Sequence, residues 1–325
     1  MRLNKNTLYV LIYLLGGATT TSEIAKKVSQ LDVRSIQRAL ERLLESNLVT
    51  RTGPINNPAY AIQYSTLLAT KLPEKILEDE ERPDSSFNYE LLNWLEKTPT
   101  NQLDTFSQDI RSNSDHKITA KELEYLTIEL SWKSSALERN TYTLLDTQLL
   151  LTEGVKAKNR TEFETQMILN HKDAVAFIME NTNLFKGEIN FSTVEELHRI
   201  IGNNLGISGG VRKRLVRISA SNYTPLANPQ QLREEANRIL GIIDHFADPV
   251  IRSLLALSLV PYLQIFEDGN KRTGRMLANA ILISTIGRGF SLRKVSAREL
   301  ALAYLAFYEF NSMKALSDIL KAELV

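Results

Sequence analysis

At 325 residues the chain is too long for one ordinary domain and suggests two. It is 43% hydrophobic and 24% charged with a net charge of +1, which excludes disorder as the dominant state. The absence of cysteine excludes disulfides, zinc fingers, thiolate clusters and cysteine nucleophiles. The four histidines, His116, His171, His198 and His245, form no H-x-x-x-H pair, which argues against a histidine-rich metal site. Nothing points to zinc, haem or flavin.

The N-terminal stretch Met1–Ala18 places Arg2 and Lys5 before the apolar run Leu8–Leu15. That pattern loosely mimics a signal peptide, but Leu8, Leu11, Ile12, Leu14 and Leu15 also fit a buried first helix. The runs Ser253–Leu263 and Leu277–Ile286 are about half of the ~20 residues a membrane span needs. No membrane partner and a cytoplasmic location are therefore expected.

Residues 1–65 carry eight basic groups (Arg2, Lys5, Lys26, Lys27, Arg34, Arg38, Arg42, Arg51) against four acids (Glu23, Asp32, Glu41, Glu45), so the basic surplus sits at one end. A helix is predicted from about Asn6 to Leu15, stopped by Gly16-Gly17. Thr20-Thr21-Ser22 offers N-caps for a short helix over Glu23–Val28. The turn Ser29-Gln30-Leu31-Asp32 leads to a third helix over Val33–Ser46, with Ile36, Leu40, Leu43 and Leu44 on its inner face. The extended runs Leu48–Arg51 and Tyr60–Gln63, parted by Gly53, Pro54 and Pro58, read as a hairpin. This order resembles a winged helix-turn-helix domain, whose third helix enters the major groove. Arg34, Arg38 and Arg42 fall at i, i+4 and i+8 on the outer face, beside Ser35 and Gln37. Arginine pairs bidentately with guanine and glutamine with adenine, and Arg51 on the wing would meet phosphate. A protein-binding module with a solvated helix face is the competing reading.

Residues 66–120 read as a linker with helical segments. The run Leu77–Asp84 is acidic and broken by Pro83, so a solvated loop is expected. Helices are predicted over Asn88–Leu95 and Lys121–Leu130, and the polar segment Asn101–His116 is expected to be mobile.

The densest chemistry lies at Gln264-Ile265-Phe266-Glu267-Asp268-Gly269-Asn270-Lys271-Arg272-Thr273-Gly274-Arg275, just before a helix predicted over Met276–Ile286. A glycine turn at a helix N-terminus offers unbonded N–H groups and the positive dipole end, an anion site. Lys271, Arg272 and Arg275 add cations, and Asp268 could hold Mg²⁺ beside a phosphate. A nucleotide or polyphosphate pocket and a charged loop that merely caps a helix both fit these features.

The string resembles the signature of the Fic (Fido) family, H-x-F-x-[DE]-G-N-G-R-x-x-R, at Phe266, Asp268, Gly269, Asn270, Arg272 and Arg275. Upstream, Ser134–Thr141 resembles the family's inhibitory helix [ST]-x-x-x-E-[GN], with Ser134 and Glu138 in place. Gly209–Arg212 and Val216–Ile218, followed by Tyr223-Thr224-Pro225, resemble the family's flap hairpin, with Arg212, Val216 and Ile218 as flap residues. Glu196-Leu197-His198 resembles the helix before it. The resemblance covers about residues 121–325. It implies a mainly α protein: a helical Fic/Fido domain with a small β-hairpin flap, behind an N-terminal winged helix-turn-helix domain over 1–65 and the linker over 66–120. It also implies ATP with Mg²⁺, phosphate contacts from Gly269, Asn270, Lys271, Arg272 and Arg275, and inhibition through Glu138 pairing with Arg275.

Three departures stand out. The histidine that serves the family as general base is Gln264 here, and an amide cannot take a proton. Lys271 replaces the usual glycine, as in the Doc branch. Arg139 replaces the glycine that follows the inhibitory glutamate. Two functions remain in view. In the first, a DNA-binding regulator, expected as a homodimer on double-stranded DNA, uses a catalytically silent Fic domain to sense a nucleotide. In the second, an active adenylyltransferase or phosphotransferase modifies a hydroxyl of a protein target.

Overall fold

The computed structural model describes residues 3–17, 19–28, 30–54, 56, 58–108, 110 and 118–324. Arg2, Ser29 and His116 lie outside the described residues. In chain order the elements are α1 (Lys5–Leu15), α2 (Thr21–Lys27), α3 (Val33–Glu45), β1 (Val49–Thr52), β2 (Ala59–Ile62), α4 (Tyr64–Leu68), α5 (Glu74–Leu77), β3 (Ser85–Ser86) and α6 (Tyr89–Lys97). After a 3-10 turn over Thr100–Phe106 come α7 (Ala120–Ala136), α8 (Leu144–Glu153), α9 (Glu162–Glu180), α10 (Asn183–Lys186), α11 (Phe191–Gly202) and β4 (Tyr223–Thr224). The chain closes with α12 (Pro229–His245), α13 (Pro249–Leu263), α14 (Asn270–Ile286), α15 (Ala297–Phe310) and α16 (Lys314–Leu324). The protein is thus mainly helical.

The chain divides into two compact units. The first joins Met1–Thr98, Arg217–Pro225 and Arg298–Ala315; the second joins Pro99–Val216, Leu226–Ala297 and Leu316–Val325. Residues 66–98 of the expected linker therefore pack within the first unit.

In the first unit, local chemistry sets the helix starts. Thr20 Oγ1 accepts the Glu23 N–H at 3.2 Å while Glu23 accepts the Thr20 N–H at 2.9 Å, a reciprocal cap for α2. Asp32 caps α3 by accepting the Ser35 N–H at 2.6 Å. Ile36, Ala39, Leu40 and Leu43 of α3 are buried, and the helix packs on α1. β1 and β2 pair antiparallel, with Val49 opposite Ile62 and Thr52 opposite Ala59. The two-residue strands β3 and β4 pair in parallel.

The run 77–84 is a loop whose acids Glu78, Glu80, Glu81 and Asp84 are exposed, as its composition suggests, but it is anchored from within. Arg82 is buried and reaches Glu309 of α15, with Nε to Oε2 at 2.5 Å. It also donates to the carbonyls of Asp79 and Ala220. A buried counter-charge 227 positions away thus pins an otherwise solvated loop, which the local acidic, proline-broken signal does not reveal. Tyr304, Phe307, Tyr308 and Phe310 of the same helix are buried.

In the second unit α13 and α14 form the centre. Both are buried nearly all round and pack along each other; α13 is apolar on nearly every face, whereas α14 also buries the polar side chains of Asn270, Arg272, Arg275 and Asn279. They approach closely at Gly274, where a β-carbon would stand 2.9 Å from the Pro261 ring and 3.3 Å from the Ala256 carbonyl. Backbone and a rigid ring cannot yield cheaply, so Gly274→Ala should cost about 1–3 kcal/mol of stability, read as a lower urea midpoint. A midpoint equal to wild type would show that this helix pair can separate without cost.

Candidate functional site

The segment 264–275 links α13 to α14. Gln264 takes left-handed dihedrals (φ 53°, ψ 50°) and Gly269 does the same (φ 80°), so the chain leaves one helix and enters the next within a few residues. α14 begins at Asn270, six residues before the helix start expected at Met276, because Gly269 supplies the entry conformation. Lys271, Arg272 and Arg275 therefore lie in its opening turns.

Asn270 ties the loop together. Its Oδ1 accepts the Phe266 N–H at 3.0 Å, and its Nδ2 donates to Phe266 O at 2.8 Å and to Gln264 Oε1 at 3.2 Å. Gln264 Nε2 donates to Pro261 O at 2.6 Å. Both ends of the Gln264 amide are thus engaged, and the residue is only 8% exposed. His198 stacks on Phe266, with ring centroids 3.7 Å apart and 8° between planes, and its Nε2 donates to Asp268 O at 2.9 Å. Burial holds its pKa below the ordinary value. It braces the loop and is not placed as a substitute base.

The cations differ in their surroundings. Arg272 is 3% exposed, and its Nη2 meets Asp268 Oδ2 at 3.2 Å. Its Nη1 is buried and meets no hydrogen-bond acceptor among the described residues. Burial lowers the pKa of Arg272, as it does that of Lys271. A buried guanidinium with an unused donor suits an anion. Arg275 is wholly buried; its Nη2 pairs with Glu138 Oε1 at 2.8 Å and its Nε donates to Ser134 Oγ at 3.1 Å. Burial alone would raise the Glu138 carboxyl, yet the charge and hydrogen bond of Arg275, with Arg272 and Lys271 beyond, hold it below the ordinary range. The expected Glu138–Arg275 pair is therefore present. Arg139, next in the chain, adopts φ 69°, a conformation that glycine takes without strain.

Asp268 is 71% exposed at its side chain and accepts the Gly269 N–H at 2.6 Å. No group of three or more His, Asp or Glu side chains suited to a metal occurs among the described residues. A single exposed carboxylate still fits Mg²⁺ that takes its other ligands from phosphate and water.

The flap expectation requires correction. Residues 207–218 contain no strand. Arg212 is instead a buried tie, donating to the carbonyls of Gln264 (2.5 Å), Arg214 (2.7 Å) and Leu226. Its backbone N–H goes to Ile265 O at 2.9 Å. Gly209 and Gly210 precede it, Gly210 at φ 79°, and the short stretch spends its polar groups on the 264–265 loop rather than on a ladder. Val216 and Ile218 are half-buried, and Tyr223–Thr224 pairs with β3.

His171 was visible in the sequence only as one histidine of four. It lies on α9, fully buried, with Nδ1 2.8 Å from Met167 O and Nε2 2.8 Å from Ser134 Oγ. Burial, with the charges of Arg272 and Arg275 nearby, pushes its pKa down to about 3. Its place among Ile168, Ala174, Val175 and Ile178 at helical spacing was the signal that it faces inward.

On the first unit, Arg34, Gln37, Arg38 and Arg42 of α3 are exposed, as is Arg51 of β1; Ser35 is half-buried near the helix start. Glu41 and Glu45, seven residues beyond Arg34 and Arg38, share their face and are also exposed.

Residues 188–282, which include α11, the loop and most of α14, match the Fic/DOC family. The chain carries a Fic/DOC family domain. Its sequence is similar to the protein adenylyltransferase Fic of Nematostella vectensis, 28% identical over 158 residues, which are 47% of this chain and 36% of that protein. It is also similar to the protein adenylyltransferase fic-1 of Caenorhabditis elegans, 27% identical over 156 residues, 46% of this chain and 30% of that protein. The match thus spans about a third of those curated relatives. Two solved structures share the fold. One is a Fic domain containing signaling protein from Bacteroides thetaiotaomicron (TM-score 0.53, 18% identity, 69% of this chain and 93% of that one). The other is C. elegans Fic-1, residues 134–508 (TM-score 0.53, 17% identity, 97% of this chain and 88% of that one). No helix among the described residues is long and apolar enough to cross a membrane.

Proposed function

We propose that this protein is a cytoplasmic DNA-binding regulator whose Fic domain binds a nucleotide without transferring it. The observation that carries the reading is Gln264: an amide, locked between Pro261 O and Asn270, occupies the position from which the family's histidine takes a proton. General-base help is worth about 10²–10⁴-fold, so transfer would lose at least that. Binding would not, because the Arg272 guanidinium and the α14 N-terminus remain. Residues that fit ATP are Gly269, Lys271, Arg272 and Arg275, with Asp268 toward Mg²⁺; Asn270 acts by bracing the loop. The Glu138–Arg275 pair would compete with the outer phosphate and serve as the switch.

The three helices and hairpin over α1–β2 support a winged helix-turn-helix, with α3 in the major groove of double-stranded DNA. Glu41 and Glu45 restrict contact to the N-terminal half of the α3 face, so Arg34, Gln37 and Arg38 read bases while Arg42 and Arg51 meet phosphate. A homodimer would match half-sites about one helical turn apart.

Binding to DNA from the protein's own promoter region, measured against salt with and without ATP and Mg²⁺, tests this. Arg42→Ala should reduce the slope of log K against log salt by about 0.9, as one lost phosphate contact does, and weaken all sequences alike. Arg38→Ala should cost about 1–3 kcal/mol and relax base preference. Sequence-blind binding that neither variant alters would reject α3 as the reading helix.

The second reading, adenylyl or phosphoryl transfer to a protein hydroxyl, is favoured by the likeness to adenylyltransferases and by the unused Arg272 donor. Labelling from radioactive ATP decides it. Wild type should be inert, and Gln264→His combined with Glu138→Gly should label protein if only the base is missing.

A further inference from the structure

The Glu138–Arg275 pair is only part of what holds Arg275. Its Nε donates to Ser134 Oγ at 3.1 Å, and Ser134 Oγ lies 2.8 Å from His171 Nε2. On the other side of the ring, Nδ1 faces the Met167 carbonyl at 2.8 Å. A carbonyl only accepts, so the ring proton sits on Nδ1 and Nε2 offers a lone pair. The Ser134 hydroxyl must then give its one proton to Nε2, which turns its lone pairs toward Arg275. Every proton along Met167–His171–Ser134–Arg275 is thereby fixed in direction. The chain of bonds joins α9, the last turns of α7 and α14 through fully buried groups. Without the imidazole, the Ser134 hydroxyl could rotate and present its proton to Arg275, which would repel the guanidinium.

We infer that His171 is a positioning residue that orients the Ser134 hydroxyl and thereby sets how firmly Arg275 is kept beside Glu138. Resting on the proposed nucleotide pocket, this makes α9 a third contributor to the competition between Glu138 and a triphosphate. Loosening the relay frees Arg275 for the outer phosphate, so affinity for ATP rises, while AMP, which lacks that phosphate, is unaffected.

The test uses four variants of the full chain: His171→Met, which fills the space but accepts no strong hydrogen bond; His171→Gln, whose amide oxygen can accept from Ser134; Ser134→Ala; and Ser134→Ala with His171→Met. NMR of ¹⁵N-labelled wild type should show His171 as the Nδ1–H tautomer. Exchange of the Arg275 Nε proton should be slow in wild type and His171→Gln, and about tenfold faster in His171→Met and Ser134→Ala, as loss of one charge-assisted hydrogen bond implies. ATP should bind about tenfold tighter to those two variants with AMP unchanged, and the double variant should match the singles. An Nε2–H tautomer, or Arg275 exchange that His171→Met leaves at the wild-type rate, would overturn the relay. ATP affinity that follows neither variant would overturn its link to the pocket. Failure of every variant and of wild type to bind ATP would instead reject the nucleotide reading, since the NMR measurements use none.

Discussion

Glu309→Ala should destabilise the protein by about 3–5 kcal/mol, one of the largest single-residue losses the fold allows. Glu309 is 1% exposed and both carboxylate oxygens are engaged. Oε2 accepts from Arg82 Nε; Oε1 accepts from Ser221 Oγ and the Asn222 N–H at 2.9 Å each and from Arg82 Nη2 at 3.2 Å. The alanine variant strands a buried guanidinium with only two carbonyls for company. It also leaves the Asn222 N–H and the Ser221 hydroxyl without their acceptor. Glu309→Gln should cost less, since the amide oxygen can keep some of these bonds. Replacing both partners, Arg82→Met with Glu309→Met, should recover much of the loss, because no charge is then left buried. Urea unfolding followed by far-ultraviolet circular dichroism measures all three. A loss under 1 kcal/mol for the alanine variant would mean that water reaches Arg82.

Acidification from neutral pH should weaken the fold through its buried histidines. His171 has its pKa pushed from 6.5 down to about 3, so the native state keeps the ring neutral. Below pH 6.5 the unfolded chain takes up a proton that the native chain refuses. The unfolded state then binds more protons, so stability rises with pH and is lost as pH falls from 6.5 toward 3. Between pH 7 and pH 5 the loss from this group is about 2 kcal/mol. His198, also shifted down by burial, adds to it in the same direction. Glu23 and Glu164, held at about 2 by backbone and hydroxyl donors, stabilise the fold above pH 4.5 and lose that contribution only as pH falls from 4.5 toward 2, so they do not account for a loss above pH 5. His171→Gln should flatten the dependence to what His198 leaves. A stability curve flat from pH 7 to 5 in wild type would show that His171 is protonated in the native state.

Both predictions turn on residues that the sequence left unmarked, and the reason is physical. Helix starts are written locally: Thr20 and Asp32 cap the helices they precede, and the apolar runs over 253–263 and 277–286 became the buried pair α13 and α14. The motif 264–275 was legible because its chemistry is contiguous, and Glu138 opposite Arg275 followed from the family resemblance. Arg82 with Glu309, and Ser134 with His171, are pairs across 227 and 37 positions, and no periodicity or composition encodes them. The flap failed for a related reason. The hairpin was expected from the family resemblance, but Arg212 spends donors on the carbonyls of Gln264, 52 residues away, and of Leu226.

The interleaving of the two units sets an order for synthesis. Arg82 leaves the ribosome early, while Glu309 and the rest of α15 come some 200 residues later, after the entire Fic/DOC match has been made. At about 5–20 residues per second that delay lasts roughly 10–40 s. Throughout it the nascent N-terminal segment holds Arg82 without its counter-charge. The first compact unit is therefore among the last parts to mature, and a ribosome stalled before residue 298 would release a protein unable to complete it.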